Sequence, residues 1–369
     1  MICRLWPLPD LPLATKPAKS VIPTFDAHAD SLLEVVDRGR DLPVSAYRQG
    51  GVQAQVLACW IDPKIPPEQK FPYLEKLIAA CRQQLATFSS DLILARRGRE
   101  VEEANRQGNI AILLSLEGAD AIDRDLDRIA WLRDQGFSAI TLTWSRANAW
   151  ASSCIDHRDR GLSDLGRDAL REMDRLGFMA DLSHASEKTF FDTLDAFDGP
   201  VILSHSCAYA LCPHRRNATD EMLQALKAKG GVIGVNFAPG FLDPEWWEWS
   251  KQLAQQEQAN VARIVEQLPP DPILRRRVSE EYIHPKLLAR RLPASRILDH
   301  VCYIAEKLGT SFVGLGSDFD GVLALPQGWD GPQDFPALAE GLKSRGFAPE
   351  EIVQIMGGNF LRMWHQLNE

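Results

Sequence analysis

No stretch of this 369-residue chain approaches the roughly 18 consecutive apolar residues that a membrane-crossing helix needs. Nor is there a Lys/Arg-rich run, and the net charge is −9. A chain with that balance lacks the basic field that gathers nucleic acid, so no nucleic-acid partner is expected. Its seven cysteines (Cys3, Cys59, Cys81, Cys154, Cys207, Cys212 and Cys302) form no CxxC pair and no regular framework. An odd, unpatterned count speaks against a disulfide scaffold and for reduced thiols in a cytoplasmic setting. Internal repeats and low-complexity tracts are missing too. Prolines interrupt the N-terminal Met1-Ile-Cys-Arg-Leu-Trp-Pro-Leu-Pro9 where a secretion signal would be apolar, so this segment reads as an irregular lead-in. The end, Phe360 to Glu369, reads as the close of an amphipathic helix and not as a lipid-anchor signal.

What is present is ordinary in bulk and specific in pattern. Apolar residues make up 45% and charged residues 25%, which suits a soluble domain with a sizeable core. Barrels of the α/β class run to this length as one unit, so residues 1–369 are read as a single domain. Eight β-type runs occur near 21–27, 52–60, 110–116, 138–144, 178–184, 201–205, 231–237 and 312–317. Helical patterns alternate with them around 30–38, 68–86, 123–135, 164–176, 186–197, 219–229, 296–308 and 349–366. Strands that are apolar throughout, each followed by a helix, predict a (β/α)8 TIM barrel. A doubly wound open sheet competes, but no Gly-rich dinucleotide fingerprint follows the first strand. Residues 240–293 break the alternation and read as a helical insertion between strand seven and its helix, at the edge where barrel enzymes keep their chemistry. Trp246, Trp247 and Trp249 lie in it, and packing is the first expectation for each, ahead of a lid or dimer contact.

The barrel makes a test available within the sequence, because the ends of its strands should carry chemistry. Two runs end in Ser-His, at His184 and His205, joined by a helical stretch that Gly199-Pro200 stops. Neighbouring parallel strands bring two such histidines to one rim. The first strand ends in His28 and Asp30, two apart and so facing one way in extended chain. The third ends in Glu117 before a glycine, and the eighth in Gly316-Ser-Asp-Phe-Asp-Gly321. His28, Asp30 and Glu117 would supply three ligands to one ion, and His184, His205 and the other Glu117 oxygen three to a second. Each ion then keeps an open position, as catalytic sites do. Two ions roughly 3.5–4 Å apart can share a water, lower its pKa and polarise a carbonyl. Imidazole with carboxylate suits two zinc ions, and manganese, iron and cobalt are compatible as well. Asp318 is the carboxylate left to orient that water and carry its proton to a leaving amine. The other histidines (His157, His214, His284, His300 and His365) read as structural or loop residues, with His300 on the flank of the apolar face of helix 296–308.

These residues, with Gly50-Gly-Val-Gln-Ala-Gln55, Thr141-Leu-Thr143, Asp181-Leu-Ser-His184, Arg215-Arg-Asn217 and Gly231-Val-Ile-Gly-Val-Asn-Phe237, resemble the membrane (renal) dipeptidase family from Phe25 to Trp364. The strand-one HxD with a bridging Glu separates this branch from amidohydrolases that use HxH and a modified lysine. The resemblance implies a binuclear zinc dipeptidase, often accepting a C-terminal D-residue, and a homodimer. It implies that Asp318 is the acid/base and that Arg216 pairs with the carboxylate of a small dipeptide substrate, a role that suits a planar fork. One departure stands out. The renal pattern ends strand four in Leu-Thr-His, whereas this chain has Leu142-Thr143-Trp144, replacing a carbonyl-contacting imidazole by an indole. Asn148 or the metals would then take over, or the substrate is another amide, such as an N-acyl amino acid or a lactam. A non-catalytic binding protein on the same scaffold is the remaining alternative, against which the full ligand set and Asp318 speak.

Overall fold

The computed structural model describes residues 21–367. The expected N-terminal lead-in lies outside them, as do the last two residues. Nine parallel strands are found among the described residues: β1 (Thr24–Ala29), β2 (Val52–Trp60), β3 (Leu92–Leu94), β4 (Ile110–Glu117), β5 (Phe137–Thr141), β6 (Met179–Asp181), β7 (Val201–Ser206), β8 (Val232–Val235) and β9 (Val313–Leu315). Eight of them close a cylinder in the order β2-β1-β9-β8-β7-β6-β5-β4, and β4 returns to β2 through paired residues from Ala54↔Ala111 to Trp60↔Glu117. That last pairing decides against the open sheet. Helices cover the outside, so β4 is buried along its whole length, and β1 likewise. A strand buried on both faces calls for a largely apolar run; β4 has one from Ile110 to Leu114, whereas β1 buries Asp26 and His28 among its apolar residues.

The ninth strand has no counterpart among the eight β-type runs. β3 is three residues long and pairs with Ile110–Ile112, below the point where β5 takes over the same edge of β4 at Leu114. Leu-Ile-Leu is too short to carry a period. Helices Val44–Gly50, Gly98–Arg106 and Phe335–Ser344 are likewise additions to the expected pattern. The expected helix 349–366 is interrupted by a π turn at Gln354–Gly358. Gly357 explains the fit of that turn, since a Cβ there would stand 3.0 Å from the Phe25 nitrogen at the start of β1. The first strand begins three residues later than expected and includes His28, whereas β5 stops at Thr141, short of Trp144.

The insertion is helical, as expected, and consists of Pro244–Glu266 packed on Pro272–Leu288. Both helices open on Asp-Pro. Asp243 accepts from the Trp246 N–H (2.9 Å), and Asp271 from those of Ile273 and Leu274 (2.9 and 3.1 Å), while proline fills the first helical position, where no N–H is needed. Trp246 is buried and donates its indole N–H to the Arg290 carbonyl (2.6 Å), with Trp249 packed against its ring.

His300, expected on the flank of helix Ser295–Leu308, proves to be fully buried and tied on both sides. Its Nδ1 accepts from the Ala208 N–H (3.1 Å), and its Nε2 donates to the Leu242 carbonyl (3.1 Å), joining the segment after β7 to the root of the insertion. Burial holds the ring neutral, with its pKa pushed down to about 4. His300→Ala should therefore cost about 2–4 kcal/mol by leaving two buried backbone groups unmet. The unfolded imidazole takes a proton near pH 6.5 while the folded one waits until about 4, so this residue's contribution to stability falls as pH drops through that window. Urea unfolding of parent and variant at pH 7 and pH 5 checks both points. A variant as stable as its parent, or equally sensitive to acid, would show that His300 is not the tie.

Candidate metal centre

Six side chains from six places in the chain meet at the C-terminal mouth of the barrel. His28 lies on β1, Glu117 ends β4 and His205 lies on β7. His184 stands three residues past β6, and Asp318 three past β9. Asp30 follows β1 directly. Its N–H bonds the Phe319 carbonyl (2.8 Å) while the Asp318 N–H bonds the His28 carbonyl (3.0 Å), so the ends of β1 and β9 are laced together. Asp318 holds this place in a left-handed conformation (φ 60°), uncommon for a residue other than glycine and frequent at functional sites.

Glu117 organises the set. Its Oε1 lies 3.0 Å from His184 Nε2 and 3.6 Å from His205 Nε2, and those two nitrogens are 3.1 Å apart. Donors at tetrahedral corners about 2.0 Å from a zinc ion stand roughly 3.3 Å from one another, so this triangle has the right size for one ion. Its Oε2 faces the other way, 3.4 Å from His28 Nε2, which in turn is 3.9 Å from Asp30 Oδ2. His28, Asp30 and Asp318 form a second group able to hold a cation, and His28, Asp181 and His205 a third combination. Four of the atoms involved or adjacent (His28 Nε2, Asp30 Oδ1, Glu117 Oε2 and His184 Nδ1) are buried without a hydrogen-bond partner among the described residues. Buried polar atoms are seldom left so, and cations at this point would satisfy the first three.

The electrostatics agree. Burial raises the Asp30 carboxyl well above its usual range, and the neighbouring Glu117 carboxylate adds to the rise. Asp318 is raised in the same way. Burial opposes protonation of His28, yet Glu117, Asp30 and Asp318 outweigh it and lift the imidazole to about 10. Three carboxylates thus compete for positive charge that one imidazolium barely supplies, a field suited to divalent ions. On the other side, burial and Arg216 push His184 down to about 4, and burial with His28 keeps His205 neutral. Neutral imidazole is the ligand form.

Groups behind the cluster fix its orientation. Ser204 Oγ donates to Asp181 Oδ2 (2.6 Å) and lies 2.7 Å from His205 Nδ1, whose N–H it can accept. That arrangement leaves the His205 Nε2 lone pair facing Glu117. Asp181 also receives the Ser183 and Ser204 N–H groups (3.1 and 3.0 Å), so one buried carboxylate steers both Ser-His turns. Asp26 does the same for β9, accepting from the Ser317 N–H and hydroxyl (2.8 and 2.5 Å) and from Gln55 (3.0 Å). Asn236 donates to Asp318 Oδ2 (2.9 Å). Sequence reasoning assigns Asp26, Asp181 and Ser204 no role. The available signal is a carboxylate inside an otherwise apolar strand, which is costly unless it orders something. The mouth is also drawn tight here. A Cβ on Gly234 or Gly316 would fall on the Ser204 carbonyl, so only glycine lets β7 come this close, and the His28 and His205 rings stack at 3.7 Å.

Of the remaining sequence candidates, Arg216 is buried. Its Nη1 donates to the Ser183 carbonyl and to Ser206 Oγ (3.2 Å) and its Nη2 to the His205 carbonyl (3.0 Å), while Nε has no partner among the described residues. Trp144 forms a wall with Trp60 (ring centroids 5.0 Å) and lies 6.1 Å from the His184 ring. Asn148 is engaged in its own turn. It donates to the Leu142 carbonyl (2.7 Å) and accepts from the N–H groups of Trp150 and Ala151 (2.9 and 3.1 Å), with no contact to the ligand cluster among these bonds. The six described cysteines form no disulfide with one another.

The sequence pattern of the membrane dipeptidase family, peptidase family M19, matches residues 16–369. The chain belongs to that family. The dipeptidase tcpJ of Claviceps purpurea is 30% identical over 284 residues, 76% of this chain and 57% of that protein. An uncharacterized dipeptidase of Schizosaccharomyces pombe is 32% identical over 332 residues, 86% of this chain and 70% of that one. This chain thus spans little more than half the length of the Claviceps relative. Among solved structures, the fold is shared with a probable dipeptidase, PvdM, of Pseudomonas aeruginosa (TM-score 0.80, 24% identity, 94% of this chain and 95% of that one). It is shared as well with a metallopeptidase of Rhodobacter sphaeroides bound to a phosphinate mimic of L-Ala-D-Ala (TM-score 0.77, 24% identity, 95% and 100%). No helix among the described residues is long and apolar enough to cross a membrane.

Proposed function

We propose that this protein is a dipeptidase that holds two zinc ions and hydrolyses small dipeptides, including those with a C-terminal D-residue. The observation that carries this reading is the division of Glu117, with one oxygen toward His184 and His205 and the other toward His28. When bound there, divalent cations acidify water and polarise a carbonyl. His28, Asp30 and Glu117 would hold one ion, and Glu117, His184 and His205 the other. Asp318, half-buried and steered by Asn236, takes a proton during attack and returns it to the leaving amine. Arg216 has its unpartnered Nε and one Nη2 proton left for the substrate carboxylate, while its other bonds hold it to the carbonyls beside both ligand histidines. Trp144 and Trp60 exclude water from one side of the scissile bond. A homodimer is part of this reading on the family resemblance, and a cytoplasmic setting on the cysteine pattern.

A second reading, hydrolysis of N-acyl amino acids or lactams at the same metals, is favoured by one observation: Trp144 stands where the renal pattern has histidine, and the Asn148 amide is engaged elsewhere. L,L- and L,D-dipeptides assayed beside N-acyl amino acids separate the two. Dipeptide turnover should vanish after dialysis against a chelator and return with zinc. Turnover of N-acyl substrates alone would favour the second reading, and turnover untouched by chelation would remove both.

A further inference from the structure

Beside Asp318 the mouth opens into a cavity of about 460 Å³ between the helical insertion and the segment after β9. Its walls are apolar: Phe241, Trp247, Leu253, Ile283, Leu287 and Leu323. The charged side chains lining it are Asp318 and Lys251, and Lys251 is paired with Glu248 (2.6 Å) on the exposed side of its helix. Phe241 has a second neighbour, for the Arg216 guanidinium lies 5.3 Å from its ring. Thus one apolar cavity adjoins both the group assigned to the leaving amine and, through a single ring, the group assigned to the terminal carboxylate.

We infer that this cavity receives the side chain of the substrate's C-terminal residue and selects a large apolar one, of leucine to phenylalanine size. The inference rests on the dipeptidase reading. The leaving amine and the Cβ of the residue bearing it are two bonds, about 2.5 Å, apart. For one hand at Cα, a substrate whose amine meets Asp318 and whose carboxylate meets Arg216 therefore has its C-terminal side chain within reach of the cavity, whose lining does not include Trp144. An acidic or basic side chain would leave water there without a free partner. The insertion, which departs from the plain β/α alternation, thereby becomes the determinant of specificity.

The test uses the metal-loaded protein and dipeptides Ala-Xaa, with Xaa glycine, alanine, leucine, phenylalanine, aspartate or lysine in both hands. For the accepted hand, kcat/KM should rise from glycine to phenylalanine by about tenfold or more, the scale of apolar discrimination in a pocket, and the charged residues should fall below alanine. A series Xaa-Ala should vary less. Ala254→Trp, at an exposed helix position lining the cavity, should cut the phenylalanine-to-glycine ratio by about tenfold. Leu253→Trp provides the same narrowing from a neighbouring position should the first variant not fold. A flat or charge-favouring Ala-Xaa series, with dipeptides still hydrolysed, overturns the inference and spares the dipeptidase reading. If no dipeptide is hydrolysed, that reading falls, and calorimetry with N-acetylphenylalanine against N-acetylglycine then decides on the cavity alone. Tighter binding of the phenylalanine compound supports it, and equal or no binding overturns it.

Discussion

Glu117→Gln should lose metal and turnover together. The carboxylate faces both histidine groups, through different oxygens at 3.0 and 3.4 Å. An amide keeps the size but gives up the charge and offers one acceptor in place of two. The loss of several kcal/mol of transition-state stabilisation corresponds to about a thousandfold or more in kcat. Metal per chain, read by elemental analysis after gel filtration, should fall alongside. A variant that retains its full metal content and more than about a tenth of its turnover would show that Glu117 does not join the two groups. Folding is checked separately by thermal melting, because removing a carboxylate from among Asp30 and Asp318 relieves repulsion in the metal-free protein and should not unfold it.

Asp318→Asn should separate what Glu117→Gln joins. Proton transfer by a positioned group contributes roughly 10²–10⁴-fold, so turnover should fall by that amount while metal content stays near the parent's. Asn236 donates to Oδ2 at 2.9 Å while its own Oδ1 is held by the Ala238 N–H (2.6 Å), and the amide oxygen that the substitution retains can accept the same bond, so the geometry should persist. The outcome that matters most is the metal reading. His28, Asp30 and Asp318 are close enough to grip one ion, and loss of metal in this variant would recast Asp318 as a ligand.

The candidate ligand residues are legible in the order of amino acids because the barrel puts every strand's C-terminal end at one mouth. A polar residue ending an apolar run then stands out against its neighbours, and His28, Glu117, His184 and His205 each end such a run. Whatever depends on distance between segments far apart in sequence is hidden from such reasoning. Asp26 and Asp181 sit inside strands, and only the fold reveals that Ser317 and Ser204 stand over them. His300 reads as the flank of an amphipathic helix, and nothing local announces that Ala208 and Leu242 meet its two nitrogens. Asn148 reads as a spare amide, although its short-range bonds already engage it. β3 goes undetected for a plainer reason, since three residues hold no period. The Asp-Pro starts of both insertion helices, in contrast, are purely local signals.

The tight corner formed by Gly234 and Gly316 has an effect beyond packing. At those positions the width of the mouth is governed by atoms that are missing, so a single added methyl would act as a wedge driven between β7 and β9. His205 would travel with β7, and the triangle it makes with His184 and Glu117 would open. Substitution should therefore be least tolerated where no side chain exists to be lost, at two residues outside the candidate ligand set, and its first symptom should be weakened metal retention in a protein that still folds.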